Sequence, residues 1–249
     1  MLLYPAIFYP LKEEKYTAAR KIQEVLIVQT MITAHSGCEG TADNSIAHIQ
    51  CALRCCVEAM EIDVHPGTDG LFYLSHDVAE DSQSCPSLTD AFSLIQNTGM
   101  KINCDLKAPG IEARVLEMAQ AWQVEDQLIL SGCVSRKALE DTELRKHVFW
   151  NIEEALPSLS EKFSRDIPPT LAEVQTALDN CREAGVSVIN VYYELCTPEM
   201  LEACRKAGIL VSAWTVNNED WARTLLDAGI YNVTTRKPVL VRGLREQLG

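Results

Sequence analysis

Short apolar runs recur along the chain, each followed by a longer stretch of helical composition. The runs are Met31–Ala34, Ala59–Val64, Lys101–Leu106, Gln127–Ser131, His147–Ile152, Val186–Tyr192, Ile209–Thr215 and Tyr231–Thr235, eight in all. Helices are expected between them over Asn44–Glu58, Ser87–Asn97, Gly110–Trp122, Arg136–Glu143, Thr170–Ala184, Thr197–Ala207 and Asn218–Ala228. Several open on capping signals, as at Ser87-Leu-Thr-Asp90 and Thr197-Pro-Glu199. Three close on glycine, at Gly185, Gly208 and Gly229, where a helix stops just before a strand restarts. Leu11–Gln29 reads as an additional N-terminal helix that would cover one end of the fold.

Eight βα repeats without a break in composition predict an α/β fold, a single closed (β/α)₈ TIM barrel occupying residues 1–249 as one domain. An open doubly wound sheet is the alternative, but no Gly-rich phosphate fingerprint follows a strand. A barrel of this kind carries its chemistry at the C-terminal ends of its strands. The polar residues fall there: His35 after the first strand, Glu61 and Asp63 on the second, Asp105 and Lys107 on the third, and Trp214-Thr-Val-Asn217 on the seventh. Another apolar run ends in His76-Asp77.

A strand alternates its side chains between two faces, so Glu61 and Asp63 point the same way, about 6.6 Å apart along the strand. Two carboxylates that close raise each other's pKa unless a cation or a basic side chain neutralises them. All-oxygen donors suit Mg²⁺ or Ca²⁺. His35 and His76 flank the pair in sequence, and imidazole exchanges protons near neutrality. By the same alternation Lys107 shares the face of Asp105. His48, His65 and His147 fit no such pattern and are read as structural or exposed, and Asn44 as a helix cap that also orders the first loop. Asn151, Glu153 and Asn217 stand at strand ends, near any pocket, without a role of their own.

The net charge of −13 argues against nucleic acid and anionic membrane surfaces as partners, because both bind through clustered Lys and Arg. An anionic substrate must then be attracted by local positive charge, a task that falls to Lys107. Ten cysteines in a chain this long, with no basic n-region or cleavage site at the start, lead to the expectation of a reduced, cytoplasmic protein. Cys51, Cys55 and Cys56 are assigned to a helix core, since no His stands at metal spacing. No window is long enough to insert across a membrane, and the sequence leaves a homo-oligomer open.

With these residues in place, the sequence resembles the glycerophosphodiester phosphodiesterases, TIM barrels of the phosphatidylinositol-phospholipase-C-like phosphodiesterase superfamily, from about Ile32 to Pro238. The family's H-R-G, E-N-T, E-x-D-V and H-D patterns stand as His35-Ser36-Gly37, Asp43-Asn44-Ser45, Glu61-Ile-Asp63-Val64 and His76-Asp77. E-x-K stands as Asp105-Leu-Lys107, W-T-V-N is intact at Trp214–Asn217, and T-D-x-P stands as Thr235-Arg-Lys-Pro238.

The resemblance implies that Glu61, Asp63 and Asp105 hold one divalent cation, Mg²⁺ or Ca²⁺, with His35 and His76 as general acid and base. Lys107 would neutralise the phosphate, Ser36 would offer it one short hydroxyl, and Trp214 would line the pocket for the alcohol. The implied activity is hydrolysis of a small-molecule phosphodiester, a glycerophosphodiester or similar, to an alcohol and a phosphomonoester. There are three departures. Ser36 replaces the family Arg, a bidentate phosphate donor; Asp105 replaces the usual Glu, as in the related sphingomyelinase-D-like barrels; and no sizeable insertion subdomain follows the second strand, since only eleven residues separate His76 from Leu88. Two alternatives accompany these: a sphingomyelinase-D-like lyase that forms a cyclic phosphate, and a degenerate barrel that binds a phosphorylated ligand without turnover.

Overall fold

A computed structural model describes residues 29–248 apart from 80, 82, 83 and 166. The helix expected over residues 11–29 lies outside the described residues, Gln29 apart. All eight predicted strands form: β1 (Met31–Ala34), β2 (Ala59–Pro66), β4 (Lys101–Leu106), β5 (Leu128–Gly132), β6 (Phe149–Asn151), β7 (Val188–Tyr192), β8 (Leu210–Trp214) and β9 (Asn232–Thr235). They run parallel in the order β5-β4-β2-β1-β9-β8-β7-β6. The sheet closes through a parallel bridge between Leu130 and Val148, with the Leu130 N–H donating to the His147 carbonyl at 2.9 Å. A ninth strand, β3 (Phe72–Leu74), folds back antiparallel on the extended end of β2 and carries the chain towards His76.

Alternation along each strand divides the core. One set of side chains, including Ile32, Met60, Ile62, Ile102, Leu130, Ile189 and Val233, packs outward beneath the helices in one large cluster. The other set faces the barrel axis and changes character along it. At the N-terminal end Met31, Ala59, Ile129, Phe149 and Val188 form a separate apolar plug. One layer up, Thr33, Asn232 and Ser212 are joined by hydrogen bonds, with Thr33 Oγ1 donating to Asn232 Oδ1 at 2.8 Å and Asn232 Nδ2 donating to Ser212 Oγ at 2.9 Å.

The predicted helices form at Ile46–Arg54, Leu88–Ile95, Glu112–Ala121, Leu171–Ala184, Pro198–Ala207 and Glu219–Asp227. Ser87 and Thr170 open theirs with reciprocal capping boxes to Asp90 and Glu173. The helix expected over Arg136–Glu143 splits into a 3₁₀ turn, Ala138–Glu140, and a short α-helix, Thr142–Arg145. Asp141 is the cause: its backbone is extended, and its carboxylate accepts the Glu143 and Leu144 N–H groups as an N-cap. Two short helices, Ile152–Ala155 and Ser158–Phe163, and a C-terminal one, Pro238–Leu248, add to the expected set. Cys51 and Cys55 approach Cys38, with the three sulfurs within 4.8 Å of one another, whereas Cys56 is exposed beyond the helix end and leaves the core assigned to it. None of the described helices is long and apolar enough to cross a membrane.

Candidate active site

The inward positions that begin as an apolar plug end, at the C-terminal mouth, as a polar cleft of about 490 Å³. Glu61 and Asp63 reach it from β2 and Asp105 from β4, where Asp63 and Asp105 are register partners. Oxygens of the three carboxylates lie within 4.8 Å of one another. Lys107, just past the end of β4, lies 2.7 Å from Asp63 Oδ1 and also donates to Asp105 Oδ2.

Burial and the nearby Asp105 and Asp63 charges push the Glu61 carboxyl well above the ordinary carboxylate range. Burial also raises Asp105, only partly offset by Lys107. At Asp63 burial works in the same direction, but Lys107 and Asn44 prevail and hold it below its ordinary value. Burial disfavours the Lys107 ammonium, yet Asp105 and Asp63 outweigh that, so it stays charged above the ordinary lysine range. One ammonium thus faces three carboxylates. A hard divalent cation fits that oxygen set. Asn103, on the inward face of β4 beside Glu61, turns into the same cleft and has a buried Oδ1 without a hydrogen-bond partner among the described residues.

His35 is half-buried at the mouth. Its Nδ1 lies 2.8 Å from the Ser36 carbonyl, an acceptor, so Nδ1 carries the proton and Nε2 is bare, 3.8 Å from Glu61 Oε1. Burial lowers its pKa below 6.5, and Arg236 adds to this against the Ser36 carbonyl and Asp63. His76 also lines the cleft, with its side chain 72% exposed, and its Nδ1 pairs with Asp77 Oδ1 at 3.1 Å. Trp214 borders both this cleft and an adjoining apolar hollow of about 610 Å³ that Phe163, Ile167, Tyr192 and Leu195 help to line.

The sequence profile of the Glycerophosphoryl diester phosphodiesterase family matches residues 76–240, the greater part of the chain. The chain belongs to this family. Among curated relatives, Glycerophosphodiester phosphodiesterase GDPD4 of Arabidopsis thaliana is 22% identical over 100% of this chain and 83% of its own length. A glycerophosphodiester phosphodiesterase of Caldanaerobacter subterraneus subsp. tengcongensis is 22% identical over 85% of this chain and 96% of its own length. Solved structures agree on the fold. A glycerophosphodiester phosphodiesterase of Parabacteroides distasonis superposes with a TM-score of 0.65 at 16% identity, covering 88% of this chain and 98% of that one. An Oleispira antarctica phosphodiesterase solved with the product sn-glycerol-3-phosphate gives 0.61 at 18% identity, covering 88% and 97%. The expected TIM barrel and the expected class, a phosphoric diester hydrolase, both hold.

Six of the residues singled out in the sequence, His35, Glu61, Asp63, His76, Asp105 and Lys107, meet in one cleft, and Trp214 stands at its edge. Ser36 does not join them: it is 1% exposed, and its Oγ accepts the Asn44 backbone N–H at 2.6 Å. Asn44 is not the helix cap, because Ser45 accepts the His48 N–H in that role. Asn44 instead clasps Asp63, donating from Nδ2 to Oδ2 at 2.7 Å and accepting the Asp63 N–H at 2.9 Å. This fixes one carboxylate beneath the cleft. His48 is buried, and its Nε2 donates to the Glu61 carbonyl at 3.0 Å.

Asn151, Glu153 and Asn217 line the cleft. So does Arg236, which the sequence reading passed over. The signal was available: Arg236 continues the inward alternation of Asn232 and Thr234 on β9, just as Lys107 continues that of Asp105.

Proposed function

We propose that this chain is a metal-dependent phosphodiesterase that cleaves a glycerophosphodiester or a similar small phosphodiester to an alcohol and a phosphomonoester. The observation that carries this is the convergence of three carboxylates, neutralised only in part by Lys107, beside the bare Nε2 of His35. Glu61, Asp63 and Asp105 would hold one divalent cation, Mg²⁺ or Ca²⁺. When bound, the cation supplies Lewis-acid polarisation of a phosphoryl oxygen.

The residues of the chain supply the remaining functions. His35, neutral because burial lowers its pKa, takes the proton of the attacking hydroxyl at Nε2 as the new P–O bond forms. His76, which lines the same cleft, delivers a proton to the departing alkoxide as the old P–O bond breaks. Lys107 keeps its charge and shares the negative charge that accumulates on the phosphoryl oxygens. Ten free cysteines fit the reducing, cytoplasmic setting of this reading.

A second reading concerns the alcohol. The apolar hollow shares Trp214 and Glu153 with the cleft, which supports a substrate whose alcohol carries an apolar chain, a lysolipid or sphingolipid headgroup ester. Attack by that substrate's own hydroxyl would give a cyclic phosphate, as in the sphingomyelinase-D-like barrels. One experiment separates these readings. The purified protein is incubated with short and acyl-bearing phosphodiesters, with Mg²⁺ or Ca²⁺ and with excess chelator, and the phosphorus products are identified. Metal-stimulated release of alcohol is expected. A cyclic product selects the lyase, and binding without turnover of any diester selects the degenerate barrel.

A further inference from the structure

The loop after β1 offers no guanidinium to the cleft, because Ser36 stands there and its hydroxyl is engaged with the Asn44 amide. The loop after β9 does. Among the described residues lining the cleft, Lys107 and Arg236 are the two with a permanent positive charge. Lys107 is engaged by Asp63 and Asp105. The Arg236 backbone is fixed by its N–H donating to Asn217 Oδ1 at 2.8 Å. Its guanidinium pairs with Asp43 through Nη1–Oδ1 and Nη2–Oδ2, each 3.1 Å.

Because β1 and β9 are adjacent strands, that pairing ties the arginine to the neighbouring loop, the one whose own arginine is missing. A Cβ built on Gly37 would meet Arg236 Nη1 at 3.1 Å and collide with the Asp43 carboxylate. Residue 37, with φ of +76°, favours glycine through its left-handed conformation, and a side chain there would displace the Asp43–Arg236 pair. The guanidinium has five N–H donors, of which Asp43 takes two. The other donors remain, and the side chain is 43% exposed at the cleft.

We propose that Arg236 is the phosphate-binding arginine of this site: it takes a phosphoryl oxygen of the substrate from the β9 loop, and Asp43 is the positioning residue that holds it over Gly37. The assignment rests on the phosphodiesterase reading of the cleft. It gives the chain a charge-assisted fork that Ser36 and Lys107 cannot supply.

The test measures inorganic phosphate binding to the cation-loaded protein alongside turnover of a glycerophosphodiester. Arg236→Ala is expected to weaken phosphate binding by roughly 10- to 100-fold and to lower kcat/KM by a similar factor. Arg236→Lys recovers only part of this because ammonium lacks the fork. Added guanidinium ion restores turnover to Arg236→Ala but not to a His35→Ala control. Asp43→Asn, which leaves the arginine present but unanchored, raises KM while kcat changes less.

If Arg236 merely ties the two loops together, its loss lowers the melting midpoint and leaves phosphate affinity and guanidinium response unchanged; that result overturns the assignment. So does a wild-type protein that does not bind phosphate. Should Arg236→Ala fail to fold, Arg236→Lys carries the same comparison. Turnover by wild type with unaltered phosphate affinity in the variants defeats only the arginine. Weakened phosphate binding in a chain that cleaves no diester defeats only the phosphodiesterase reading.

Discussion

The two ends of the barrel are built from the same inward-facing strand positions and serve opposite ends. At the N-terminal end Met31, Ala59, Ile129, Phe149 and Val188 exclude water from the axis. Two to four residues further along the same strands stand His35, Glu61, Asp63 and Asn151, polar groups drawn together at a cost in desolvation. Stability and chemistry are thus separated along one axis. The lower end and the outer sheath contribute burial, and the upper end holds carboxylates in an arrangement unfavourable to the empty protein.

Substitutions at the two ends should therefore separate cleanly. His35→Ala is expected to lower kcat by about 10²- to 10⁴-fold while calorimetry shows an almost unchanged melting midpoint. Phe149→Ala, which also strips the edge-on contact to Tyr231 at 5.9 Å, should cost about 3–5 kcal/mol in urea unfolding. The folded fraction of that variant should keep near-normal kcat/KM. A catalytic collapse in Phe149→Ala at concentrations where it is folded would break the comparison.

His48, in the helix Ile46–Arg54, is buried against the Glu61 carbonyl. Burial lowers its pKa from 6.5 to about 4, and its Nδ1 has no partner among the described residues to receive a proton's donation. The folded state therefore binds this proton less readily than the unfolded chain. Its contribution is fully present above pH 6.5 and is withdrawn as pH falls from 6.5 towards 4, about 3 kcal/mol in all. Unfolding measured at steps across that window should show this slope, and His48→Gln should flatten it. Asn44→Ala ranks below this. Leaving the Asp63 N–H and carboxylate without their clasp should cost about 1–3 kcal/mol and loosen the bound cation by about 10- to 100-fold, the second effect readable by metal titration.

Much of the barrel was legible because two periods repeat: alternation in eight strands and helical spacing between them. The exceptions are short and local. A single residue, Asp141, turns one expected helix into two pieces, and β3 is defined by pairing with β2 rather than by its own three residues. The candidate site was legible where one strand carries two partners, as with Glu61 and Asp63 or Asp105 and Lys107. It was not legible where a side chain crosses between loops. Arg236 reaches Asp43 across 193 positions, and Asn44 reaches Asp63 by turning inward from a loop. Ser36 was expected to offer its hydroxyl to phosphate because it occupies the family arginine's place, but in the structure the hydroxyl satisfies the Asn44 backbone instead.

The central claim is that the upper end of the barrel keeps three crowded carboxylates for a cation. Calorimetric titration of Mg²⁺ or Ca²⁺ into the wild-type protein, repeated in buffers of different ionisation enthalpy, tests it directly. Since burial and its neighbours raise the Glu61 pKa, occupancy must displace whatever proton it carries. The account predicts one cation per chain, proton release that grows as pH falls, and loss of binding in Glu61→Gln. Absence of binding, or affinity unaffected by Glu61→Gln, would contradict it.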